Sequence, residues 1–201
     1  MELKHLLLET QRRQQTQRKK ITIIDPNLLP EFFDYLDKSD LDDIFKSVFS
    51  VMLSGGLRVT ELLSLRRCDI FLDDGFGVIT VLKKPSFKVS KVTGKKLKCS
   101  KVRREFPLHP IAIKYLKKQL KGVKHFEKIF KISRNLIWRK CKYFSKHFCP
   151  HSFRHSHISN RLHTREESIS EVAVVMEIDF NTVASYNHIN VRNKNKNYWG
   201  T

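Results

Sequence analysis

Apolar residues at helical spacing dominate the chain. Between Ser39 and Met52, residues Leu41, Ile44, Phe45, Val48, Phe49 and Met52 recur at steps of three and four, the signature of one buried helix face. The pattern predicts a helix that starts at Ser39, with Asp42 three residues on as a weak capping partner, and ends at Gly55-Gly56. Upstream, residues 21–38 begin extended and turn helical around Leu29 or Pro30, an early position where proline is tolerated. Downstream, a further helix starts near Val59 or Thr60 and carries Glu61, Leu62, Leu63 and Leu65.

The pattern then changes. Residues 69–82 hold a turn signal at Asp73-Asp74-Gly75 and a β-branched run at Val78-Ile79-Thr80-Val81. A lysine-heavy segment, Lys83 to Lys101, separates this run from another extended piece, Arg103 to Leu108. Together they predict a small antiparallel sheet with a long basic hairpin. The remainder reads as helix: Pro110 to Leu120, Arg134 to about Lys146, His151 to about His163, Ser168 to Met176, and Asn181 to about Asn187. Pro150 enforces a break at Cys149, because the residue before a proline resists the helical conformation. The first 20 residues, Gln- and Arg-rich after a helical turn or two, read as a flexible basic arm, and 191–201 as a polar tail. The expected organisation is therefore an arm at 1–20, one α+β, mainly helical domain at 21–190, and a tail at 191–201.

Charge adds a partner to this picture. The formal net charge is +19 over 201 residues, with a pI near 10.0. A field of that size points to a polyanion, and nucleic acid is the first choice. No apolar run approaches the roughly 20 residues of a spanning helix, and the N-terminus lacks a secretory pattern, so a cytoplasmic protein with no membrane partner is expected. Cys68, Cys99, Cys141 and Cys149 form no CxxC pair. Cys141, His147, Cys149 and His151 match no common zinc spacing, so neither a metal nor a cofactor is expected.

The stretch with the most chemistry is HSFRHSH, His151 to His157. On a helix, His151, Arg154 and His155 share one face, which joins two proton-transfer groups to a fork-shaped cation suited to phosphate. An isolated HxxR is more often a solvated basic helix. Order along the chain decides otherwise: GLRVTELLSL around Arg58, a lysine-bearing hairpin, HSFRH, then SYNHI around Tyr186. In that order these motifs resemble the catalytic domain of the tyrosine recombinases, the lambda-integrase-like family, over about residues 22–190. In size the chain resembles the short members that invert fimbrial promoters.

The resemblance implies a site-specific DNA recombinase or integrase working without metal through a 3′-phosphotyrosyl intermediate. Arg58 matches the family's first catalytic arginine, His151 and Arg154 its HxxR box, and Tyr186 its nucleophile. Tyr115, Tyr143 and Tyr198 fit that last role less well. The family's lysine falls on Lys84, then Lys83, with Lys91 and Lys98 as alternatives. The partners implied are double-stranded DNA and a homo-tetramer assembled on it. One departure stands out: where the family carries a histidine or tryptophan in an LGH-like triplet, this chain has Val175-Met176-Glu177. An ionised Glu177 at 4 Å from a phosphate would repel it by about 4 kcal/mol at an effective dielectric near 20. Protonation, pairing with Arg58 or Arg154, or pointing away would remove that cost. The departure keeps a second expectation open, a catalytically weakened or inactive DNA-binding relative. A third, an unrelated basic nucleic-acid module, finds neither an RNP-type aromatic strand nor a GxxG loop.

Overall fold

A computed structural model describes residues 3–14, 17–83, 87–89, 96–98, 102–184 and 186. A 3-10 turn at Leu3–Leu6 leads into an antiparallel hairpin, β1 (Leu7–Gln14) and β2 (Gln17–Ile24), paired in register from Leu7 with Ile24 to Gln14 with Gln17. The foot of this hairpin belongs to the core: Leu6 and Ile24 are fully buried, and the Ile24 N–H donates to Ser156 Oγ at 2.8 Å. Within the expected arm at residues 1–20, Leu3–Leu6 form a turn, and Leu7–Gln14 and the segment from Gln17 onward form strands. Leu7 and Leu8 pair with Ile24 and Ile23 across the hairpin, a partner that lies within the chain's own next strand.

Helix α1 (Leu29–Lys38) begins with Pro30 in its first turn and ends where Ser39 Oγ donates to the Leu36 carbonyl. Ser39 therefore closes one helix and does not open the next. Helix α2 (Asp43–Gly55) starts four residues later than its apolar spacing predicts, with Asp42 at its N-cap, and is buried continuously from Phe45 to Leu53. It stops at Gly56, whose left-handed φ of 57° lets its N–H reach back to the Met52 carbonyl. After Leu57 and Arg58 comes the short α3 (Val59–Ser64).

The sheet follows as β3 (Ile70–Asp73), β4 (Phe76–Lys83) and, after an inserted pair β5 (Phe87–Val89) and β6 (Lys96–Lys98), β7 (Val102–Pro107). The order is β3-β4-β7, antiparallel, and β5 pairs with β6 as the outer part of the basic hairpin. Strand alternation sets the faces. On β7, Arg104 and Phe106 are buried while Glu105 and Pro107 are exposed.

Four helices and one short helical segment complete the domain. They are α4 (Pro110–Gln119), α5 (Arg134–Cys141), α6 (Pro150–His163), α7 (Ile169–Met176) and α8 (Phe180–Ala184). Helix α5 stops at Cys141, short of Lys146, and α8 stops before Tyr186. On α6, Phe153 is fully buried, with its ring 5.0 Å from both Phe49 and Phe148, so packing fixes the rotation of that helix about its axis. The fold is α+β and mainly helical, as the hydrophobic pattern predicts. Among the described residues no helix is long and apolar enough to cross a membrane, and no group of histidines, cysteines and carboxylates could hold a metal ion.

The anchored foot has a measurable consequence. Leu6→Ala should lower the unfolding free energy by roughly 2–5 kcal/mol in urea denaturation, the usual cost of emptying a core leucine site. An arm with a solvated Leu6 would show almost no change.

Candidate active site

Three helix ends and one strand converge on a cluster of arginines. Arg58 caps α3: its backbone N–H donates to Glu61 Oε2 at 2.8 Å, and its Nη1 reaches Glu61 Oε1 at 2.8 Å. Its side chain keeps 35% of its accessible surface, the most open of the three arginines on Glu61. Arg154, on α6, is buried. Its Nη1 donates to the Gly56 carbonyl at 2.7 Å and its Nη2 to the Met176 carbonyl at 2.9 Å, with Glu61 Oε2 3.8 Å from Nη1. Gly56 is itself tightly enclosed: a Cβ there would lie 2.6 Å from Met176 Cε and 2.8 Å from His157 Cδ2, so a side chain would have to displace both.

Burial pulls the Arg154 pKa down to about 10, helped by Arg58 and Arg104, while Glu61 and Tyr186 oppose the shift. The group stays cationic at neutral pH. Burial alone would raise the Glu61 pKa, but Arg104, the Arg58 N–H, Arg154 and the Arg58 guanidinium together hold it below the ordinary glutamate value. Glu61 is a carboxylate shared by three arginines.

The third, Arg104, has no place among the residues the motif order picks out. Its Nη2 donates to Glu61 Oε1 at 2.7 Å, its Nη1 to the Met176 carbonyl at 3.0 Å, and its Nε lies 3.9 Å from Glu177 Oε1. Its guanidinium carbon sits 5.2 Å from the centre of the Phe106 ring, on the same face of β7. The sequence does carry a signal for it: Arg104 stands two residues before Phe106, and strand parity sends both to the core.

Tyr186 follows α8 in a turn closed by its N–H on the Val183 carbonyl at 2.9 Å, and it is buried. Its ring centre is 5.0 Å from that of His155, which is also buried; His155 in turn lies 6.2 Å from the exposed His151. Helix α6 thus presents His151, Arg154 and His155 as their spacing predicts. Glu177 caps α7 with a left-handed φ of 48°. Its carboxylate lies within ion-pair distance of Arg104, with Arg104 Nε 3.9 Å from Oε1. Lys84 and Lys91 lie outside the described residues. Lys83 ends β4 opposite Val102, and Lys98 pairs with Phe87 at the start of β5. The structure therefore brings Arg58, Arg154, Glu177 and Tyr186 into one neighbourhood with His155, Glu61 and Arg104, and leaves His151 at its rim.

His157, beneath this cluster, is fixed in its neutral form. Nδ1 sits 2.9 Å from the Leu53 carbonyl, which can only accept, so Nδ1 carries the proton. Burial lowers its pKa to about 3; Arg161, Arg165 and Arg154 add to the shift and the Leu53 bond opposes it. Above about pH 6.5 the imidazole is neutral whether folded or unfolded and contributes no pH dependence. As pH falls below 6.5, the unfolded chain takes up a proton that the folded chain refuses. Stability should therefore drop by up to about 1.4 kcal/mol per pH unit between pH 6 and 5, where most carboxylates stay ionised. Urea denaturation of wild type and His157→Gln across that window should show a shallower slope in the variant.

No model of a known protein family and no curated protein sequence matches the chain. Solved structures do. The XerH site-specific recombinase, in a post-cleavage complex with a palindromic difH substrate, matches with a TM-score of 0.65 at 16% identity over 88% of this chain and 52% of its own. XerA recombinase matches with a TM-score of 0.61 at 17% identity, over 94% of this chain and 66% of its own. The Tn1549 transposon integrase, bound to circular intermediate DNA, matches with a TM-score of 0.58 at 14% identity, over 82% and 60%. This chain thus spans between about half and two thirds of those solved chains. Identities this low speak to architecture, and the architecture agrees over most of this chain: its fold is that of the tyrosine recombinase catalytic domain.

Proposed function

We propose that this chain is a site-specific DNA strand-exchange enzyme with Tyr186 as its nucleophile. One observation carries the reading: Arg58, Arg154 and Tyr186, far apart in sequence, meet within the fold seen in XerH, XerA and the Tn1549 integrase. The Tyr186 oxygen attacks a backbone phosphorus and the bond to the 5′ oxygen breaks, leaving a 3′-phosphotyrosyl link. Charge that builds on the nonbridging oxygens meets the guanidiniums of Arg58 and Arg154, already oriented by Glu61, Gly56 and Met176. The phenol proton passes toward the imidazoles of α6. The departing 5′ oxygen takes a proton from a lysine of the basic hairpin, with Lys84 first and Lys83, Lys91 and Lys98 as alternatives. A 5′ hydroxyl from another strand then reverses the attack, so the bond energy is conserved and no nucleotide cofactor enters. Exchange between two duplexes calls for four protomers, a homo-tetramer on double-stranded DNA.

A second reading, a DNA-binding relative that no longer cuts, is favoured by Glu177, an acidic group set among the arginines that would hold the phosphate.

Suicide substrates carrying a nick beside the scissile phosphate separate the two. Wild type should give a denaturant-resistant DNA adduct that Tyr186→Phe cannot form, with duplex affinity of the variant within about threefold. Duplex binding without any adduct from wild type would establish the second reading. Binding itself should weaken steeply with salt, since it rests on phosphate neutralisation. Arg58→Ala and Arg154→Ala should cut adduct formation by about 100-fold or more while changing affinity far less.

A further inference from the structure

Among the charged groups of this cluster, Arg104 and Glu177 have no step in the proposed reaction, yet both are held at its centre. Arg104 is buried, and it bridges two carboxylates: Nη2 to Glu61 Oε1 at 2.7 Å, and Nε toward Glu177 Oε1 at 3.9 Å. Its Nη1 shares the Met176 carbonyl with Arg154 Nη2, at 3.0 and 2.9 Å. Two guanidiniums on one carbonyl oxygen repel each other unless carboxylates flank them, and here Glu61 and Glu177 do so.

We propose that Arg104 is a positioning residue for Arg58 and Arg154, with Glu177 as its counter-ion. The inference rests on the strand-exchange reading above and extends it. Charges along the cluster alternate: Glu177, Arg104, Glu61, then Arg58 and Arg154. Three guanidiniums face two carboxylates, which leaves one positive charge in excess for a phosphate. Take Arg104 away and two carboxylates confront Arg58 and Arg154 with no excess. The carboxylates then compete with the phosphate for those two guanidiniums, and Glu61 loses the donor that holds Oε1 from the strand side. Take the charge of Glu177 away as well and the excess returns. Glu177 sits in the left-handed region at φ 48°, and Glu177→Gln keeps the side chain's shape while removing its charge and turning one acceptor oxygen into a donor.

The proposal makes the effect of Glu177 conditional on Arg104. In wild type, Glu177→Gln should change the single-turnover rate of adduct formation on a nicked duplex by less than about fivefold, because the carboxylate is already matched. Arg104→Met should slow that rate on the order of 100-fold, the scale of misplaced reacting groups. Arg104→Met with Glu177→Gln should regain on the order of 10-fold over Arg104→Met alone. Arg104→Lys, with and without Glu177→Gln, repeats the comparison in a background that keeps the buried charge should the Met variant fail to fold. In parallel, nitrogen-15 spectra of the arginine side chains read the guanidiniums directly. Arg58 and Arg154 signals should shift or broaden in Arg104→Lys and return toward wild type when Glu177→Gln is added.

The two readouts separate the two ideas. A wild type that makes no adduct but shows the arginine coupling overturns strand exchange and supports the pairing. Adduct formation that Arg104 variants leave intact, or that Glu177→Gln fails to rescue in folded Arg104 variants, overturns the pairing and leaves strand exchange standing. Loss of both adduct and coupling overturns both.

Discussion

A guanidinium taken out of water is tolerable only where its donors find acceptors, and Arg154 finds them at the ends of two other helices. The Gly56 and Met176 carbonyls close α2 and α7, where the helix geometry leaves carbonyls without partners and the macrodipole concentrates negative charge. One side chain on α6 therefore satisfies orphan groups on both neighbours and sets the distance among three helices. Arg58 follows Gly56 by two residues and Glu177 follows Met176 by one, so their places are consequences of the same bond pair. Tyr186 is brought in by the short helix after α7 and rests on His155, the next residue after Arg154. Such buried charge is costly and adds little to stability by itself; what it supplies here is a fixed geometry.

Much of this architecture is legible in the chain. Helices with strong apolar periods, the glycine stop at Gly55-Gly56, the Asp73-Asp74-Gly75 turn and the proline break at Pro150 all lie where local physics puts them. The misses have local causes too. Ser39 looks like an N-cap by type, but its hydroxyl caps the preceding helix by donating to Leu36, a choice that depends on where α1 runs out. The N-terminal hairpin was hidden because its apolar foot is short and its strands are polar, so the strand signal is only visible as a pairing across the turn.

Legibility of the site divides along the same line. Arg58, His151, Arg154 and Tyr186 stand out because each sits in a short motif whose order carries information. Arg104 does not, since an arginine in a lysine-rich stretch looks like one more solvated cation. Only the alternation from Phe106 back to Arg104 shows that it points inward. With Arg104 directed inward, Glu177 has a cation at 3.9 Å that its own motif does not reveal. A buried carboxylate is best judged after every cation on the facing strand has been assigned a direction.

The charge of the whole chain is also unevenly spent. Acidic residues gather in and around α1 and the start of α2, where Asp37 meets Lys114 at 2.7 Å, Asp43 meets Lys118 at 2.8 Å and Asp42 meets Lys140 at 3.7 Å. Exposed pairs of this kind contribute about 0–1 kcal/mol each, so stability is a weak reason for them. Their effect on the field is larger, because they neutralise the lysines of α4 and α5 locally. Basic residues without any acidic ones are concentrated in residues 10–20, 83–103 and 128–165. Residues 10–20 include parts of the β1-β2 pair, 83–103 include β5 and β6, and 128–165 include α6 with Arg154. The Ile24 N–H on Ser156 Oγ ties β2 directly to the helix that holds Arg154. The basic N-terminal hairpin and the arginine cluster are thereby joined through one helix.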